Sequence, residues 1–73
     1  MNNRMPLVLK ELRISKNMTQ KELSDKINVS QRAYSFYETG AREPDLDTLI
    51  KIADVFGVPL DILAGRFIKA QDK

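Results

Sequence analysis

Apolar residues along the chain recur three and four positions apart, the spacing that lines one face of a helix, and the residues between them carry helix start and stop signals. The first helix takes Pro6 into its opening turn, places Leu9 and Leu12 on one face and stops at Asn17, a residue type that tolerates the left-handed conformation. Met18 then turns the chain inward. Thr19 and Glu22 have the spacing of a capping box, in which each side chain satisfies an amide the helix start leaves open. That box predicts a second helix from Gln20 to about Ile27, with Leu23 and Ile27 on its inner face and Asn28 as its stop.

Only Asn28 and Val29 separate this end from the next cap, Ser30, so the second and third helices must meet at a steep angle, the spacing of a helix-turn-helix. The third helix is predicted over Gln31 to Thr39. At about 100° per residue, Arg32, Ser35, Phe36 and Thr39 share an outward arc, while Ala33, Tyr34 and Tyr37 face inward. An outward Phe36 is the unusual feature, because exposed aromatics commonly have a partner. Residues 40–45 form a turn-rich linker, and Asp45 caps a fourth helix whose Leu46, Leu49, Ile50, Ile52, Ala53 and Phe56 form one broad apolar arc ending at Gly57. Val55 has no clear place on that arc. A short fifth helix runs from Leu60 to Ala64 and stops at Gly65. The fold class is all-α, a five-helix bundle with helices two and three as its protruding edge. One domain is expected over 1–73, its core at about 7–65, with 66–73 a basic tail that frays or joins a dimer contact.

Composition narrows the chemistry. The chain has 73 residues, 12 Lys and Arg against 10 Asp and Glu, and no Cys, His or Trp. A disulfide framework, a thiolate or imidazole metal site, a histidine base and a cysteine nucleophile are therefore excluded, and the carboxylates show no paired arrangement, so no metal, cofactor or enzyme activity is expected. Gly40, Gly57 and Gly65 lie outside any phosphate-loop spacing, and no small-molecule ligand is evident. No apolar run reaches the roughly 18 to 20 residues that span a bilayer, and residues 1–9 are too short of charge and apolar length for a signal peptide, which makes the cytoplasm the expected location. The charge is unevenly placed: +3 over residues 1–44, −3 over 45–65 and +2 over 66–73. Such a split suits a protein that turns one face toward a polyanion.

From about Leu9 to Leu63 the chain resembles the DNA-binding domain of the phage repressor and Cro family. The resemblance is carried by Leu12-Arg13, Met18-Thr19-Gln20-Lys21-Glu22-Leu23, Val29-Ser30-Gln31, Tyr37-Glu38-Thr39-Gly40, Arg42-Glu43-Pro44 and Leu46 through Val58, in the family's order and spacing. It implies a bundle of the lambda-repressor-like type and a cytoplasmic regulator, most often a repressor, whose third helix enters the major groove of a double-stranded operator, usually as a homodimer on a two-fold related site.

The resemblance also distributes roles. Gln31 is the first candidate for a base contact, its amide matching the N6 and N7 edge of adenine. Arg32 can fork onto guanine O6 and N7 or take a phosphate, and Ser35 is short enough to let the helix approach. Phe36 departs from the family pattern, in which this place is often basic or polar. It can pack on a thymine methyl, fold back on the linker or meet a protein partner. Tyr34 also departs, standing where a branched aliphatic is common, and reads as a core aromatic whose hydroxyl needs a partner. Gln20 begins the helix where family members clamp a phosphate and often brace the recognition-helix glutamine. Lys21 is the lysine nearest that role, and Thr39, Gly40 and Arg42 fall where the family meets the sugar-phosphate backbone. Arg13 and Glu38 look like the family's internal ion pair. Leu60, Ile62, Leu63, Phe67 and Ile68 exceed what a short terminal helix needs for its own core, which points to a dimer contact or a satellite cluster. The alternative to a regulator is an antitoxin-like or protein-interaction module on the same fold.

Overall fold

The computed structural model describes residues 4–63; Ala64, Gly65, Phe67 and Ile68, which carry expectations above, lie outside the described residues. Within them lie five helices: α1 (Met5–Ser15), α2 (Gln20–Lys26), α3 (Gln31–Thr39), α4 (Leu46–Phe56) and α5 (Leu60–Leu63). Three of the joints share one stereochemical solution. After α1, Asn17 takes φ 57°, its N–H donates to the Ile14 carbonyl at 2.9 Å, and the Met18 N–H reaches back to Arg13 at 3.1 Å. Asn28 (φ 62°) and Val29 repeat the pattern onto Asp25 and Ser24, and Gly57 (φ 67°) and Val58 onto Asp54 and Ala53. Each is a Schellman ending, which satisfies otherwise open carbonyls and delivers an apolar residue to the protein interior. Met18, Val29 and Val58 all pack against the core.

The starts are capped by side chains. Thr19 Oγ1 accepts the Glu22 N–H at 3.0 Å while a Glu22 carboxylate oxygen accepts the Thr19 N–H at 2.8 Å, completing the capping box. Ser30 Oγ accepts from the Ala33 N–H at 3.0 Å, and Asp45 Oδ1 from the Thr48 N–H at 2.9 Å. Arg4 precedes α1 without a side-chain cap, and Pro6 in the first turn removes one of the donors that would need it.

The core joins Leu9, Leu23, Ile27, Tyr34, Ile52, Ala53, Phe56 and Leu63. Helix α3 packs on α1 and α2, α4 on α5, and α5 on α1, so α3 is held from behind by two helices. The apolar arc of α4 is narrower than expected: Leu46 and Ile50 are 63% and 43% exposed, whereas Ile52 and Phe56 are buried. The cause is angular, since the buried set centres on Ile52 and Phe56 and leaves Leu46 and Ile50 at its margin. Val55 joins the partly buried residues packed on the core.

Candidate nucleic-acid interface

The left-handed turn at Asn28 and the Ser30 cap fix where α3 begins, and Tyr34, with no exposed surface, fixes which face turns inward. Gln31 and Arg32 are consequently exposed, while Ser35 and Phe36, expected fully outward, are half-buried. The Arg32 guanidinium carbon lies 5.9 Å from the Phe36 ring centroid, and Arg32 forms no ion pair with another described residue. Residues 32 and 36 are four apart, so their side chains stand one above the other on the helix surface. This contact was legible in the spacing, yet residue-by-residue reading misses it.

Behind α3 sits one carboxylate that four donors share. Glu38 Oε2 accepts from Arg13 Nε at 2.7 Å and from the Tyr34 hydroxyl at 2.6 Å, and Glu38 Oε1 accepts from Arg13 Nη2 at 3.1 Å and from Gln20 Nε2 at 3.0 Å. Arg13 Nη1 also donates to the Met18 carbonyl at 2.8 Å. The side chain of Glu38 is only 4% exposed and that of Arg13 13%. The cluster therefore joins α1, α2 and the loop between them to the last turn of α3, and so constrains the angle at which the exposed start of α3 is presented. Burial pushes the Glu38 carboxyl up, but the hydrogen bonds from Arg13, Tyr34 and Gln20 outweigh it and hold the group below its ordinary range. Burial, followed by donation to Glu38, pushes the Tyr34 phenol well above its ordinary value. The hydroxyl thus keeps its proton and remains a donor.

Gln20 differs from its expected posture. Its amide nitrogen is turned to Glu38, and it makes no hydrogen bond to Gln31. Sequence reading missed this bridge because α2 and α3 residues 18 positions apart carry no local signal. Lys21 is exposed and pairs with Asp25 one turn on, at 3.4 Å. After α3 the chain turns left-handed at Gly40 (φ 85°), a conformation that strains other residues. Thr39 spends its hydroxyl locally, donating to the Phe36 carbonyl at 3.2 Å and accepting the Ala41 N–H at 3.3 Å. The Arg42 N–H donates to the same Phe36 carbonyl at 3.3 Å, while the Arg42 side chain is exposed.

The expected dimer residues divide. Leu63 is fully buried in the chain's own core, because α5 packs against both α1 and α4, and it cannot serve as a contact. Leu60 is 38% exposed and Ile62 half-buried. Among the described residues no helix is long and apolar enough to cross a membrane, and no cluster of metal-ligating side chains occurs.

Comparison with known proteins agrees with this architecture. Residues 9–63 match the helix-turn-helix family. The chain is 46% identical over 55 residues to the HTH-type transcriptional regulator YqaE of Bacillus subtilis, covering 75% of this chain and 47% of that protein. It is 41% identical over 58 residues to ImmR of the same organism, an HTH-type transcriptional regulator, covering 80% and 46%. It is 39% identical over 51 residues to the cryptic phage CTXphi transcriptional repressor RstR of Vibrio cholerae, covering 70% and 46%. The chain thus spans about half the length of these curated relatives. The crystal structure of a transcriptional regulator from Listeria innocua superposes with a TM-score of 0.85 at 22% identity, covering all of this chain and 68% of that one, and shows the same fold. The chain belongs to the helix-turn-helix family of bacterial and phage transcriptional regulators.

Proposed function

We propose that this chain binds a specific double-stranded DNA operator, as a homodimer on a two-fold related site in the cytoplasm, and acts by repression. The observation that carries the reading is the posture of α3. Its start presents Gln31 and Arg32 free of other described side-chain hydrogen bonds, while its opposite face is sealed by Tyr34 and tied to two helices through Glu38. A helix so held, with polar residues at its exposed start, suits a major groove about 12 Å wide. Gln31 and Arg32 then read base edges with Ser35 and Phe36 beside them. Arg42, Gly40, Thr39 and the α2 start at Gln20 and Lys21 lie against phosphates and set register. Repression is supported by the relative RstR, a transcriptional repressor, and dimerisation by the weak selectivity of a single half-site together with the exposed Leu60.

Selection of bound duplexes from a random pool, followed by binding across a range of salt, tests this. The expected result is a two-fold related consensus, two chains per duplex, and an affinity that falls steeply as salt rises through counterion release. A flat salt response with no enriched sequence would overturn DNA binding. An enriched single half-site bound by one chain would overturn the dimer alone.

A further inference from the structure

The pairing of Arg32 with Phe36 assigns more than two separate contacts. A guanidinium has an edge of N–H donors and two flat faces. With its guanidinium carbon over the Phe36 ring, 5.9 Å from the centroid, Arg32 keeps N–H donors that a ring cannot saturate, and these can fork onto guanine O6 and N7. Holding the cation against a ring also removes part of the rotamer freedom that an unsupported arginine surrenders on binding. Phe36 is half-buried, so its inner part is anchored in the protein and only its outer part is offered. That part has no donor or acceptor. The one apolar group that projects into the major groove from the bases is a methyl on C5 of a pyrimidine.

The spacing sets how far apart the two readings fall. Four residues of helix rise about 6 Å, less than two base steps of about 3.4 Å. Resting on the DNA-binding reading above, we propose that Arg32 and Phe36 act as one unit that recognises a guanine with a C5-methylated pyrimidine within two base pairs of it. Thymine carries that methyl in unmodified DNA and 5-methylcytosine carries the same group at the same position. Binding therefore responds to cytosine methylation wherever a cytosine replaces the contacted thymine.

The test uses the full chain and the tightest duplex selected from a random pool, resynthesised with deoxyuridine at each thymine in turn, and separately with cytosine or 5-methylcytosine at the position so identified. Loss of the methyl at one thymine near a guanine is expected to weaken binding roughly three- to sixfold, the worth of one buried methyl, and 5-methylcytosine is expected to bind tighter than cytosine by a similar factor. In Phe36→Ala both ratios fall to about one, and in Phe36→Leu they persist in part. Each ratio is taken within a single variant, so a change in folded fraction cancels. Arg32→Lys, which keeps the charge and loses the fork, should reduce discrimination at the neighbouring guanine at least about fivefold. If wild-type protein binds its selected duplex but shows no thymine-to-uracil effect at any position, or if the effect survives in Phe36→Ala, the methyl reading is overturned while DNA binding stands. If no duplex is enriched at all, the functional reading falls and takes this one with it.

Discussion

Tyr34 and Glu38, one helical turn apart on α3, are joined by a 2.6 Å hydrogen bond in which the phenol donates to the carboxylate. With Arg13 and Gln20 supplying the other donors, each carboxylate oxygen accepts two hydrogen bonds, which fills the acceptor capacity of the group. An aliphatic side chain at position 34 would have left Glu38 one donor short and filled less of the core, since Tyr34 is fully buried. The tyrosine therefore serves packing and polarity together, with its ring also meeting Tyr37 edge-on at 5.9 Å.

The first prediction concerns the cost of opening this cluster. Glu38→Gln replaces an acceptor with an N–H that must face donors, and leaves the mostly buried Arg13 without a counter-charge. Breaking such a pair typically costs about 3 to 5 kcal/mol, a large share of the stability of a small domain. Tyr34→Phe removes one hydrogen bond to a charged group and should cost about 1.5 to 3 kcal/mol. Urea unfolding of both variants and of the double variant measures them, with the double expected to fall short of the sum because the residues share a partner. A loss below about 1 kcal/mol in Glu38→Gln would show that the cluster does not hold the helices together.

The pH dependence follows from the same groups. Glu38 lies below its ordinary value, and so does Asp45 through its hydrogen bond with Thr48, so the folded state releases these protons more readily than the unfolded chain. The stability they contribute is present above the ordinary carboxylate range, about 4.3, and is lost as pH falls through the lower folded values. Tyr34 is raised, so its contribution is complete below the ordinary phenol value of 10.0 and declines as pH rises beyond it. Thermal melting against pH should show both flanks. The acid flank should be shallower in Glu38→Gln, and Tyr34→Phe should remove that tyrosine's share of the alkaline one. Identical profiles in the variants and the parent would contradict the assignment.

The left-handed positions give a third prediction. Gly57 at φ 67° has nothing within 4 Å of where a Cβ would stand, so Gly57→Ala meets no clash and isolates backbone strain, roughly 1 to 2 kcal/mol. Asn28→Gly should change stability by less than about 0.5 kcal/mol, since glycine is the commonest residue at this helix ending. Asn28→Val should lose at least as much as Gly57→Ala, because a β-branched side chain is poorly tolerated at positive φ. Thermal unfolding of the three variants checks the order, and equal stability of Asn28→Gly and Asn28→Val would mean that the turn relaxes to another conformation.

What the sequence made legible was mostly local. Thr19 with Glu22, Ser30, Asp45 and the stops at Asn17, Asn28 and Gly57 each announce a helix end through neighbours within four residues, and the structure uses every one of them. Burial was legible where a residue sits near the centre of an apolar arc, as with Ile52, and not at the margin, as with Leu46, because periodicity alone cannot say how wide an arc the neighbours cover. Leu63 misled for a related reason. A four-residue helix shows too little pattern to tell an inner leucine from an outer one. Within the interface, Arg32 was placed by the wheel and Gln31 by its position at the helix start and the family resemblance, whereas the turning of Gln20 toward Glu38 depends on how α2 and α3 cross, which no short-range pattern encodes.

The last prediction separates residues that read sequence from those that set register. Gln31→Ala removes a side chain exposed at the start of α3 with no hydrogen bond to the rest of the described protein, so helicity and melting temperature should be unchanged. Affinity for the selected duplex should fall by about 1 to 3 kcal/mol while affinity for a random duplex holds, because a base contact contributes only where its base is present. Arg42→Ala should lower both affinities together and reduce the salt slope by about one counterion, because a phosphate contact carries charge but no sequence information. Titrations of each variant against both duplexes at several salt concentrations decide the matter. Should Gln31→Ala weaken both duplexes equally, Gln31 touches the backbone, and the base-reading arc of α3 would have to begin at Arg32.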